Sequence, residues 1–131
     1  MKLRLLTGTY SLQEKLFRIG KSNTNICQLC LSEEEDTIHF VTTCKTTTET
    51  RIKYLPAILD ITRPKRIDLN IAISPEIMTH LLIDPNHPVI TSHLNLSHQD
   101  VTEIEEIAQK LVYALHLRRT DALKTLSVAK I

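Results

Sequence analysis

Three cysteines and one histidine crowd into 18 residues as Cys27-x2-Cys30-x8-His39-x4-Cys44, and the chain has no other cysteine. A tetrahedral metal ion takes four soft or borderline donors, and three thiolates with one imidazole are a standard closed set for zinc. The two-residue gap in Cys27-Gln28-Leu29-Cys30 lets a tight turn aim both sulfurs at one point. Asp36 stands where an N-cap opens a helix through Ile38, His39, Phe40 and Val41, and that helix would deliver His39 and Cys44. Those two are five positions apart, more than the roughly 3.6 residues of an α-helical turn. Cys44 therefore reaches the same point only if the helix ends or loosens near it. Buried, unliganded thiols are the competing reading. It explains one cysteine well, and three at ligand spacing beside a histidine poorly. A disulfide scaffold would leave one thiol over. One structural Zn2+ on Cys27, Cys30, His39 and Cys44 is the expected cofactor.

The remainder reads as helical. The chain has 131 residues, 42% of them apolar but only 4% aromatic, so a core must rest on Leu, Ile, Val and Ala. Two glycines are too few for the tight turns of a sandwich or barrel. The expected fold class is mostly α, with a small Cys3His knuckle between helices and a helical C-terminal part. A short helix over 1–7 and another over 12–19 would enter the metal loop as a hairpin. Ser11 and Glu14 form a capping box for the second, and Gly20 is its left-handed stop. A helix over 46–59, interrupted near Pro56, would leave the loop. Residues 60–73, with Thr62-Arg63-Pro64-Lys65-Arg66, read as a basic linker dividing residues 1–59 from a helical tail over 74–131. In that tail Ser74-Pro75 opens a helix to about Ile83, and a loop follows to about Ser97. The clearest helix begins at Asp100, paired with Glu103 as an acidic cap. Val101, Ile104, Ala108, Leu111 and Leu115 form its apolar stripe, which Ile107, Val112 and Leu117 widen. Glu105, Glu106, Gln109 and Arg119 are expected on its opposite face. That stripe reads as the core face of a bundle.

Net charge is +1, but it is segregated. Residues 1–32 carry five basic groups against Glu14, residues 33–44 carry only Glu33, Glu34, Glu35 and Asp36, and residues 45–66 carry six basic against two acidic. The acidic run reads as a solvated loop with helix N-terminal charge. If nucleic acid binds, the run would repel phosphates from the knuckle. Contacts would then fall on the basic flanks: Lys15, Arg18 and Lys21 before it, and Lys45, Arg51 and Lys53 after it, with RNA or single-stranded DNA as the partner. The alternative for these bases is ordinary surface charge.

No catalytic constellation stands out. A closed Cys3His set leaves no open metal position, zinc-bound sulfurs are poor nucleophiles, and no glycine loop offers a phosphate cradle. His87, His93 and His98 lie at spacings of six and five that match no local ligand geometry, and read as solvated loop residues. His80 and His116 read as helix-edge residues. No enzyme activity and no small-molecule substrate are expected. No apolar run of membrane-spanning length occurs, and the start is too interrupted for a secretory signal, so the expectation is an intracellular chain (nucleus or cytoplasm) with reduced thiols.

The run Leu5-Leu6-Thr7-Gly8-Thr9-Tyr10-Ser11-Leu12, then Ile26-Cys27-Gln28-Leu29-Cys30, the acidic loop from Glu33 to Asp36, and Thr37-Ile38-His39-Phe40-Val41-Thr42-Thr43-Cys44 together resemble a known segment. It is the C-terminal zinc knuckle of non-LTR (LINE-like) retrotransposon reverse transcriptases. There a short LLTG helix precedes C-P-L-C, an E-x-E-T loop and H-F-L-x-x-C. The likeness covers residues 2–51, with Gln28 where that family commonly has proline. It implies a zinc module, ligated by Cys27, Cys30, His39 and Cys44, that helps a polymerase hold template RNA or target DNA. The polymerase Y-x-D-D pair is absent, so the resemblance is to a fragment or domesticated remnant without catalysis of its own. A zinc-stabilised structural module, or one that meets a protein partner through its helices, is the competing class.

Overall fold

The computed structural model describes residues 10–69 and 73–129. The helix expected over 1–7 lies outside the described residues. Chain order is α1 (Gln13–Arg18), the metal loop, a π-helical turn (His39–Thr43), a 3-10 turn (Lys45–Thr47), α2 (Thr48–Ile52), α3 (Leu55–Leu69), α4 (Pro75–Ile83), α5 (Pro88–His93) and α6 (His98–Ala129). Among the described residues the β-structure is a single antiparallel bridge between Ile26 and Glu34. The all-helical class with a metal loop between helices therefore holds.

Local chemistry explains most of the boundaries. Gly20, at φ +80, lets the Lys21 N–H reach the Leu16 carbonyl (2.8 Å) and the Gly20 N–H reach that of Phe17 (3.1 Å). This is the Schellman closure, and its left-handed residue is cheap only as glycine. The start of α1 differs from expectation. Leu12 rather than Ser11 is the capping residue, and the orphan N–H groups are met from across the chain by Glu35, as described below. At α4, Ser74 accepts from the Ile77 N–H (3.2 Å) and Pro75 takes the first helical position, as the sequence indicates. For α6 the cap lies three residues earlier than expected. Ser97 Oγ accepts from the Asp100 N–H (3.0 Å), and Asp100 Oδ2 accepts from the Ser97 N–H (3.2 Å), which is the reciprocal capping box.

Two expectations need correction, and a third is placed more closely. Residues 60–69 are not a linker, because α3 runs through them and carries Pro64 inside. Pro64 sits on the exposed side, while Ile58 and Thr62 on the inner side are fully buried, so packing holds the helix across the missing hydrogen bond. The interruption expected near Pro56 is present, at Lys53 and Tyr54, and Pro56 lies in the first turn of α3. The loop expected between Ile83 and Ser97 contains α5. Here His87 Nδ1 accepts from the Val89 N–H (3.1 Å), Pro88 opens the turn, and Ile90 and Leu94 plug the core.

The core is one continuous cluster from Tyr10 and Leu12 through Phe40, Val41, Ile58, Leu81, Leu82, Ile90 and Leu94 to Ile104, Ala108, Leu111, Val112 and Leu115. The long helix α6 is its spine, packing against α2, α3, α4 and both turns that follow the metal loop. Each fully buried Leu or Ile on it removes enough apolar surface to contribute about 1.5–3 kcal/mol. Leu117, expected to widen the stripe, is exposed instead.

Candidate metal centre

The cluster begins with a turn. Cys27 opens it, and the nearby backbone amides of Cys30 and Leu29 favour the thiolate at its sulfur. The Leu31 N–H closes on the Cys27 carbonyl (2.9 Å), which places Leu31 at φ 57, an uncommon position for a residue with a side chain. The turn is pinned from behind by the Cys27 N–H to Glu33 carbonyl (2.8 Å) and Glu35 N–H to Asn25 carbonyl (2.9 Å) bonds.

The second pair of donors comes from the π-helical turn. Asp36 Oδ1 accepts from the His39 N–H (2.8 Å) and opens it, as expected of an N-cap. Two residues five apart on an α-helix point about 140° away from each other. Here the Cys44 N–H donates to the His39 carbonyl (3.0 Å), an i→i+5 bond, and the widened turn brings both onto one side. Cys44 then leaves the helix in extended conformation, with ψ 123. This is the loosening that the five-residue spacing demands.

The donor atoms of Cys27, Cys30, His39 and Cys44 all lie within 4.8 Å of one another. Cys27 Sγ is 3.9 Å from Cys44 Sγ, and Cys30 Sγ is 3.4 Å from His39 Nε2. A tetrahedral zinc with ordinary bond lengths sets sulfur pairs about 3.8 Å apart and a sulfur–imidazole pair about 3.6 Å apart. Both edges fit. Cys27, Cys44 and His39 are buried (0%, 2% and 3% exposed) and Cys30 is partly so. Among the described residues this is the one such cluster of His, Cys, Asp and Glu donors.

The surroundings hold the donors in state and orientation. His39 Nδ1 faces Glu33 Oε2 and Thr43 Oγ1, both at 3.1 Å, which fixes the ring with Nε2 turned inward. The hydrogen bond from Cys27 pulls the Cys44 thiol down to about 4, helped by the Thr46 amide and the nearby His39. The same bond, with burial, pushes Cys27 up. Arg51 approaches from the other side, donating to Thr47 Oγ1 (2.6 Å) and to the Cys44 carbonyl. Burial lowers its pKa, against the charge of Cys44.

The bases expected to meet nucleic acid fall into two groups. Lys21, Lys45 and Lys53 are exposed and Lys15 is half-buried; Arg18 is exposed and pairs with Glu14 (3.3 Å). Arg51 is a correction, since it is 6% exposed and committed to the turn after Cys44. The acidic run is a second correction: Glu35 is 2% exposed, not solvated. Arg119, expected on the outer face of α6, is buried against Glu35. Arg119 continues the stripe of Ala108, Leu111 and Leu115 by a four-residue step, so a charge on an apolar stripe was the available signal. Nothing distinguishes Glu35 from its acidic neighbours in sequence. His87 caps α5 and stacks on His80 (ring centroids 3.9 Å), while His116 Nδ1 meets Tyr10 Oη (2.7 Å).

Fold and site together define an all-helical protein organised around a Cys3His metal-type cluster. No protein-family model, curated protein or solved structure matches the chain. Among the described residues no helix is long and apolar enough to cross a membrane.

Proposed function

We propose that the chain is a zinc-stabilised, non-catalytic helical module, derived from a non-LTR retrotransposon reverse transcriptase, that makes an auxiliary contact with RNA or single-stranded DNA. The observation that carries the zinc part is the donor geometry: three sulfurs and one imidazole nitrogen converge within 4.8 Å of one another, mostly buried, with two of their edges at 3.9 and 3.4 Å. Soft thiolates in a closed tetrahedral set favour zinc over calcium, magnesium or manganese. Four protein donors fill the coordination sphere, so no position remains for substrate or an activated water. Zinc here serves the fold.

Support for the nucleic-acid part is the resemblance over residues 2–51 and the exposure of Lys21, Lys45 and Lys53, with Lys15 half-exposed. These lie before and after the metal loop, away from its acids in sequence. Salt dependence tests it, because neutralising several phosphates makes log K fall steeply with log salt. The expected result is micromolar binding of single-stranded oligonucleotide at low salt, weakened by charge reversal at Lys15, Lys21, Lys45 and Lys53. No binding at low salt, or binding indifferent to those reversals, defeats the nucleic-acid part alone. A protein-interaction module is favoured instead by the exposed Phe17, Ile19, Leu31, Ile52 and Tyr113.

A further inference from the structure

Glu35 and Arg119, 84 residues apart, link the metal loop to the C-terminal helix. Glu35 Oε1 accepts from Arg119 Nη2 (2.8 Å) and from the Gln13 N–H (2.8 Å). Oε2 accepts from Arg119 Nε (3.0 Å) and lies 3.7 Å from Cys27 Sγ. Arg119 also donates to the Ser11 carbonyl (3.1 Å) and lies over the Tyr10 ring, 5.6 Å from its centroid. The Glu35 backbone is engaged as well, donating to Asn25 (2.9 Å) and accepting from Glu14 (3.0 Å). One residue therefore ties the ligand turn, the start of α1 and the spine helix together.

A buried ion pair is a weak source of net stability, because desolvation offsets the attraction. Losing one partner is costly, since it strands a charge, and here the stranded carboxylate would sit beside a ligand sulfur. The pair is better suited to fixing geometry than to adding stability. Resting on the zinc reading above, we propose that Arg119 is a positioning residue for the metal centre. By gripping Glu35 it holds residues 25–36 in ligating geometry against α6, so that zinc affinity and docking of the C-terminal helix are coupled. Coupling is reciprocal: the factor by which docking raises zinc affinity is the factor by which zinc favours docking. Metal occupancy is thereby transmitted to α6.

The test uses the full chain, with Arg119→Met, Arg119→Lys and the double Glu35→Gln/Arg119→Met variant. Zinc affinity is read by competition with a chromophoric chelator, and amide exchange of residues 113–123 is followed with and without zinc. Arg119→Met is expected to weaken zinc binding by about 10-fold or more, the range seen for outer partners of metal ligands. The double variant leaves no buried charge unpaired but still lacks the grip, so its zinc affinity should stay weakened; full recovery would assign the loss to the stranded carboxylate and overturn the positioning role. Zinc should slow exchange around position 119 in the natural protein and much less in Arg119→Met. A variant with a lowered thermal midpoint but unchanged zinc affinity and unchanged zinc-dependent protection overturns the proposal. If Arg119→Met does not fold, Arg119→Lys, which keeps the charge and loses the two-pronged grip, serves the same comparison. Absence of zinc from the natural protein overturns the metal reading itself, and this coupling with it.

Discussion

At the scale of the residue, the centre works by what each donor is denied. Cys27 and Cys44 are out of water and hydrogen-bond each other, which lowers the Cys44 thiol and raises that of Cys27. His39 is fixed at Nδ1 by Glu33 and Thr43, which leaves Nε2 to face Cys30. Replacing Cys30 by Ser removes a soft donor that nothing nearby can replace. The expected outcome is loss of the bound zinc and fast amide exchange across residues 26–44, because ligation energy is folding energy in so small a loop. Acid should have the same effect by a different route. The ligands bind metal only when deprotonated, so binding releases protons and affinity falls as pH falls. Zinc content after equilibration at decreasing pH is the measurement that checks this.

At the scale of the element, each turn was legible where its chemistry is local. Gly20, Asp36 and Ser74-Pro75 do what their types suggest, because a cap needs only its own neighbourhood. Gly20→Ala should cost about 1 kcal/mol in a denaturant melt, all of it from the left-handed backbone, since a Cβ there would meet nothing within 4 Å. The start of α1 was not legible. Its cap is a side chain 22 residues away, and Ser11 and Glu14 offered a plausible local answer that the fold does not use. The π-helical turn sits between these cases. The five-residue step from His39 to Cys44 called for a departure from α-helical geometry, and the widened turn is the form it takes. For α5 the polar residues and prolines around it outweighed Ile90 and Leu94, which are buried where α5 packs on α4 and joins the core.

At the scale of the whole molecule, the parts share one core. The apolar cluster passes from Tyr10 beside the metal loop to Leu115 in the last helix without a break. A chain built this way should unfold in one cooperative transition rather than two. Leu111→Ala, a truncation at the centre of that cluster, should lower stability by about 2–5 kcal/mol and shift the single transition as a unit. Two transitions, only one of which responds, would separate the metal loop from the helices. The helical class and the four donors could be read from spacing, because both are set by period and ligand type. The charged contacts at Glu35 and Arg51 could not, and for Arg119 the four-residue step from Leu115 marked the buried stripe but not the partner. Each is settled by which surfaces meet, and sequence alone treats a charge as solvated until the packing says otherwise.

Metal stoichiometry tests the central claim most directly. Protein purified without added metal or chelator, and confirmed folded by circular dichroism, should carry about one zinc per chain by elemental analysis. Exchange into cobalt should then give the intense visible bands of a tetrahedral, thiolate-rich site. A folded, helical protein with no zinc that gives no such bands with cobalt would contradict the account, and would leave Cys27, Cys30, His39 and Cys44 as core residues that happen to converge.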